Sequence, residues 1–586
     1  MGVDCVAAIN GKKPFDLVIE HVKIVNVFTD RIQEGSVAIC GDTIAYTGVM
    51  DFPYTARQVI DGKGRYAIPG LIDAHMHIES SMMAPAHFIE TILAYGTTTI
   101  AADPHEIGNV FGLEGIRALT EASLGTPLHV LMMAPSTIPS APGLERAGFS
   151  MEAAQMAEAL DIPGIKGLGE VMDFNGVADG NERILAVVET ARRRGVLLDC
   201  HVPALTGRRL QAFRSTGLDA DHTDMSLPRL KEKLSAGFSV QVQRSFFSAE
   251  VMEYLNKFPL QDRIMLITDD VAYIDLVKEG HLNANLRRAI ALGLDPLRAV
   301  RFATINAANR LRLYDRGAVS PGYKADVLLM ESLEECVPSL VLSDGQVVAE
   351  NGRCLVPISR VPFPDAFYHS VFVLPLEEAD FALPRVEGTK ALCNIIGGDT
   401  AVTRTTKTQR WLPVRDGTLD TAGLVKLAVI YRHGYGPEKA PGKEVSLALL
   451  SGFPDFRGAI ATTYTHDSHN LMIFGANDAD MALAANRLIE IGGGLCAVLD
   501  GKVISEVSLP VAGLLTEEPV EILTRTFEDF FQAVKTLRLD HSNPMIFLTL
   551  MSLAVSPEIK CTDLGLVDVL EGKFIPLVVS ADKSVP

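Results

Sequence analysis

Apolar and polar positions change rhythm twice along this chain. Through the first 65 residues they form short β patterns, Asp16–Glu20, His21–Asn26, Gly35–Cys40 and Thr43–Val49, parted by Gly and Asp turns. These predict a small β-structure. From Tyr66 onward, apolar strand patterns at 66–78, 98–104, 129–136, 165–172, 196–203, 219–224, 239–245 and 264–270 alternate with amphipathic stretches such as Met151–Leu160, Asn181–Arg194 and Leu227–Ala236. Eight strand-and-helix units within about 250 residues predict a closed (β/α)8 barrel in preference to an open doubly wound sheet. β patterns with Gly turns return at Gly317–Val327 and Pro338–Gly352, and a Pro-rich connector from Val356 to Pro364 leads into a mixed remainder. The expected fold is α/β: a (β/α)8 TIM barrel over 66–314, a small β-domain in two parts (1–65 and 315–365), and a C-terminal α+β domain over 366–586.

A chain of 586 residues exceeds what one core supports, and 48% apolar with 21% charged residues is ordinary for globular domains. The formal charge of −19 comes without a basic cluster, which argues against nucleic-acid or anionic-membrane binding. Eight scattered cysteines form no CxxC pair, as expected in a reducing cytoplasm. Residues Met1–Val6 lack the layout of a signal peptide, and no uncharged apolar run reaches about 18 residues, so no membrane span is expected.

The candidate chemistry lies at strand ends. The run Ile68–Glu79 carries His75 and His77, and side chains two apart on a strand point to one side. In a (β/α)8 barrel the active site forms at the C-terminal face. The predicted strands end there in His75 and His77, Glu170, His201, His222 and the pair Asp269–Asp270. Four imidazoles and two carboxylate positions suit two divalent ions. His201 and His222 are 21 residues apart, one β/α unit, as ligands on consecutive strands should be.

This arrangement resembles the amidohydrolase superfamily: HxH after the first strand, an acidic or lysine bridge on the fourth, histidines on the fifth and sixth, an Asp on the eighth. More narrowly, Ala74–Ser81 (AHMHIESS), Asp103–Ile107 (DPHEI) and Gly167–Met172 (GLGEVM) resemble the bacterial adenine deaminase family, as do His466–Asn470 (HDSHN) and Gly492-Gly493-Gly494. The resemblance implies hydrolytic deamination of adenine to hypoxanthine and ammonia, with His75, His77, Glu170, His201, His222 and Asp269 holding two divalent ions. Mn2+ is the expected ion, with Fe2+ or Zn2+ as alternatives. Lys166 shares side-chain parity with Glu170 but lies four residues deeper, roughly 13 Å at about 3.3 Å per residue. Glu170 is therefore the expected bridge and Lys166 structural. Asp269 and Asp270 alternate faces, and Asp269, which resembles the superfamily's Thr-Asp signature, is the expected metal contact and proton shuttle. Asp269, Glu170 and His222 are expected to act in catalysis.

Glu79 and Ser80, and His105 and Glu106 beside Asp103, are the expected purine contacts, with Glu79, His105 and Glu106 as candidates to protonate a ring nitrogen. Gln243 and Arg244 end the seventh strand. His466 and His469 could form a second metal site, cap the barrel mouth or meet a partner subunit, of which capping or interface is preferred. His87, His129 and His281 read as structural. The expected partners are a small purine and a second copy of the chain in a homodimer. The zinc nucleobase deaminase signature is H-x-E followed by P-C-x-x-C; His77-Ile78-Glu79 matches its first half, and no PCxxC exists here. The alternative is a cyclic-amide hydrolase of hydantoin or dihydropyrimidine type, distinguished by a ring-opened acid as product.

Overall fold

The apolar run at 66–78 forms two strands, not one. Tyr66–Pro69 joins a separate β-sheet, whereas Leu71–Met76 opens the barrel. Gly70 makes the change of sheet possible, because a Cβ there would fall 2.2 Å from Thr98 Oγ1. The computed structural model describes residues 2–258, 262–398, 405–539, 541 and 544–582. It groups them into two units, one of Met1–Pro104, Leu119–Ala134 and Met156–Val361, the other of His105–Ala118, Pro135–Gln155 and Pro362–Pro586.

In the first unit eight parallel strands follow one another around a barrel: β1 (Leu71–Met76), β2 (Thr97–Ala102), β3 (His129–Ala134), β4 (Ile165–Leu168), β5 (Leu197–Cys200), β6 (Ala220–Asp221), β7 (Ser239–Val242) and β8 (Ile264–Leu266). The ring closes just beyond β8, where Asp269 bridges Met76 and its N–H donates to the His75 carbonyl at 3.2 Å. Ile72, Ala74, Ala101, Leu131, Met133, Leu197 and Met265 form an apolar cluster that takes Ala307 and Ala308 from the helix Ile305–Arg310. β6 is shorter than its apolar pattern, since Asp224 at φ 39° turns the chain out of extension.

Strands from before and after the barrel share one sheet: Val327–Met330 runs antiparallel to Tyr66–Pro69, and Phe15–Asn26 pairs with Arg31–Cys40. Leu17, Ile19, Ile24, Val37, Ile39, Val327 and Leu329 fill its core. The β pattern expected from Gly317 begins only at Val327, because Gly317 and Gly322 take positive φ (85° and 88°) and fold the preceding residues into turns.

The second unit is built on a sheet in which Ala459–Thr462 runs antiparallel to Leu471–Gly475. Ala428, Ile430, Ala461 and Ile473 pack against Met481, Ala485 and Leu488 of the helix Asp478–Ile491. The connection 463–470 is fixed by the fully buried Arg432. Its guanidinium donates to the carbonyls of His469, Ser370 and Ala512, the last two at 2.9 Å. Among the described residues, no helix is long and apolar enough to cross a membrane.

Candidate functional site

The ends of five barrel strands bring six side chains to one point. His75 is on β1 and His77 one residue past it, and both imidazoles are almost fully buried. Their rings meet edge-on at 5.0 Å, and the Nε2 atoms lie 4.0 and 3.4 Å from Glu170 Oε1. Glu170 follows β4 and turns its other oxygen to the far side. Oε2 lies 2.7 Å from His201 Nδ1 and 3.4 Å from His222 Nε2. Asp269 Oδ1 completes the group at 3.3 Å from His77, 3.6 Å from His75 and 3.9 Å from His222. Two nests of donors thus share one carboxylate.

Electrostatics in this cluster favour cations. Burial works to lower His75, but Asp199, Asp269 and Glu170 outweigh it and push its pKa up to about 10. Burial likewise opposes His77, and Asp269, Asp270 and Glu170 raise it well above the usual imidazole value. Burial would raise Glu170 and Asp269, but the surrounding histidines hold both well below the carboxylate range. His222, stacked on His75 at 4.2 Å, is pushed down to about 4 by burial and by its neighbour's charge. His75 Nε2, past hydrogen-bond distance from Asp269, and His222 Nδ1 are buried with no hydrogen-bond partner among the described residues. Carboxylates that draw protons onto buried imidazoles, together with orphaned ring nitrogens, fit a site built for divalent ions.

A second layer orients these groups. His77 Nδ1 donates to the Asp103 carbonyl at 3.0 Å, and Asp103 Oδ2 accepts from the Glu170 N–H at 2.8 Å. Gly169 leaves room for that carboxylate; a Cβ there would meet Asp103 Oδ2 at 2.1 Å. His75 Nδ1 faces Asp199 Oδ2 at 3.6 Å, and Arg310 holds the other Asp199 oxygen at 2.7 Å. Gln243 Nε2 donates to Asp269 Oδ2 at 2.6 Å. The buried Asp221 pairs with Lys233 at 2.5 Å and accepts from the Val202 N–H at 2.7 Å, which fixes the chain beside His201 and His222. Sequence reasoning named Asp103 and Gln243 without a role and passed over Asp199, Asp221, Lys233 and Arg310.

The remaining sequence candidates fall as follows. Glu79 and Ser80 form a buried turn of 3-10 helix after β1, and Ser80 Oγ hydrogen-bonds Asp270. Lys166 is exposed and acts on His129, the first residue of β3, at the opposite end of the strands from Glu170. His105 and Glu106 open the helix His105–Ser123 and belong to the second unit. There Glu106 faces His105, His466 and His469. Burial opposes its charge, and the three imidazoles hold its carboxyl well below the usual range.

The barrel is of the amidohydrolase class: residues 66–238 and 252–348 match the Amidohydrolase family model. Residues 402–573 match the adenine deaminase C-terminal domain. The chain is 35% identical to the adenine deaminase of Kosmotoga olearia over 99% of both chains. It is 36% identical to adenine deaminase 2 of Carboxydothermus hydrogenoformans (98% of this chain, 99% of that one) and 38% identical to adenine deaminase 2 of Rhizobium etli (97% and 95%). It belongs to the adenine deaminase family.

Proposed function

We propose that this protein hydrolyses adenine to hypoxanthine and ammonia at the barrel cluster. The observation that supports this reading best is the convergence of His75, His77, Glu170, His201, His222 and Asp269 in a chain related over nearly its whole length to adenine deaminases. His75, His77 and Asp269 would hold one divalent ion, His201 and His222 a second, with Glu170 offering one oxygen to each. The donors are all nitrogen or carboxylate oxygen, without thiolate, a set suited to Mn2+, Fe2+ or Zn2+; Mn2+ is the ion proposed. When bound, such ions lower the pKa of a water molecule toward neutrality.

The chain's own groups do the rest. The overall change adds water across C6 of the purine and expels its amino group as ammonia, so one proton must leave the attacking water and one must reach the leaving nitrogen. Asp269 is the group for both, as a base first and an acid afterwards. Gln243 holds its Oδ2, which leaves Oδ1 directed at His75 and His77. Glu79 and Ser80, buried in the turn just past His77, are the proposed contacts for the purine ring. The cytoplasm is the proposed compartment, in keeping with eight unpaired cysteines.

The test is ammonia release from adenine, adenosine, guanine and cytosine by the Mn2+-loaded enzyme, with dihydrouracil as a ring-opening control. Release from adenine well above the rest is expected. A ring-opened acid from dihydrouracil without ammonia from adenine would overturn the reading.

A further inference from the structure

The second unit holds a group of donors that the deamination reading leaves unused. His105, Glu106, His466 and Asp467 are all buried there. Glu106 Oε1 lies 3.0 Å from His466 Nδ1 and 3.6 Å from His105 Nε2. Asp467 Oδ1 lies 3.5 Å from His466 Nδ1 and 3.9 Å from His105 Nε2. Four ligands on one ion at bonds of about 2.1 Å stand at the corners of a tetrahedron whose edge is roughly 3.4 Å. The observed separations cluster around that edge. The 3.0 Å approach of Glu106 to His466 is also hydrogen-bond length, whereas the 3.6 and 3.9 Å separations to His105 Nε2 are longer than a hydrogen bond and close to the tetrahedral edge.

We propose that His105 Nε2, Glu106 Oε1, His466 Nδ1 and Asp467 Oδ1 form a closed, four-ligand site for a divalent cation of the zinc class. Two neutral imidazoles with two carboxylates match the ion's preferred donors, and the two negative charges balance it. The second layer is also present. A backbone N–H can only donate, so Thr465 N–H, 3.2 Å from His469 Nδ1, fixes that nitrogen as an acceptor. The ring proton then sits on Nε2 and is donated to Glu106 Oε2, which leaves Oε1 directed at the other donors. Asn470 and Arg432 pin the loop from behind, through Asn470 Nδ2 to the Arg146 carbonyl at 2.9 Å and Arg432 Nε to the His469 carbonyl. On the fourth side, Asp467 Oδ2 is buried with no hydrogen-bond partner among the described residues. With all four positions taken by protein, the site is structural: it ties residues 105–106 to the 463–470 loop and leaves no corner for substrate.

The inference is independent of the barrel chemistry, and its test keeps the two apart. Full-length protein carrying His75→Ala and His77→Ala is stripped with a chelator, incubated with Zn2+ alone, desalted and assayed by mass spectrometry for bound metal. At least one zinc per chain is expected, together with a zinc-dependent rise in the melting midpoint, and any ion kept by His201, His222 and Glu170 is common to all the variants. Adding His466→Gln or, separately, His105→Gln should remove one equivalent and lower that rise. Should the double-alanine protein fail to fold by circular dichroism, the same zinc count on wild type, His466→Gln and His105→Gln decides, with a loss of one equivalent expected in each variant. Equal zinc contents across the three proteins, or no zinc held by a folded double-alanine protein, would overturn the site, whatever the enzyme does to adenine.

Discussion

At the scale of single residues, Asp269 carries the most. Its φ of 61° and its bond to the His75 carbonyl hold the backbone, while Gln243 takes one carboxylate oxygen and leaves the other to the histidines. Asp269→Asn keeps an oxygen for metal but no base for the proton. A fall in kcat of about 10²–10⁴-fold with most of the metal retained is expected, checked by steady-state kinetics and metal content on one preparation. A near-normal kcat would pass the proton to another group. The six residues of the barrel cluster were legible because each ends an apolar run. Their supports were not: Asp199 lies inside such a run, and its partner Arg310 is 111 positions away. Parity allowed only one of Asp269 and Asp270 to face inward; the structure turns Asp270 to Ser80.

At the scale of elements, the ends of β4 and β3 each yield an expectation. Gly169→Ala drives a methyl group into the Asp103 carboxylate that accepts from the Glu170 N–H. The variant should lose at least one metal equivalent and about 10²-fold in kcat/KM, in line with the cost of disturbing groups behind metal ligands. Unchanged metal content would show that Asp103 does not set Glu170. On β3, burial and, secondarily, Arg316 push His129 down to about 4. The unfolded chain, with an ordinary value near 6.5, binds that proton more readily, so this contribution is complete above about pH 6.5 and is lost as pH falls toward 4. The loss is about 2 kcal/mol at pH 5. Urea unfolding at pH 7 and pH 5 should show a smaller drop for His129→Gln than for wild type, and equal drops would remove His129 from the account. Hydrophobic period located these strands but could not divide the run at 66–78, because apolar residues look alike whichever sheet they join and only Gly70 marks the change.

At the scale of the whole molecule, metal binding should be linked to stability as well as to turnover. Chelation of the purified enzyme is expected to abolish ammonia release and lower the melting midpoint, with Mn2+ restoring both. An ion present at a thousand times its Kd adds about 4 kcal/mol to the folded state. A midpoint indifferent to chelator would mean that the donor clusters are held together without ions. Local periodicity says little at this scale. Residues 105–118 and 135–155 alternate with barrel strands in sequence, and nothing in their pattern tells which core they enter.

That interleaving reaches back to how the protein is made. The second unit draws on 105–118, on 135–155 and on everything from Pro362 onward. At the usual pace of about 5–20 residues per second, the roughly 200 intervening residues take about 10–40 s to emerge from the ribosome. Throughout that interval His105 and Glu106 are already outside while His466, Asp467 and His469 do not yet exist. The nascent chain must carry 105–118 and 135–155 without the rest of their core until synthesis is well advanced, an exposure that a simple barrel, complete once its eighth strand emerges, does not impose.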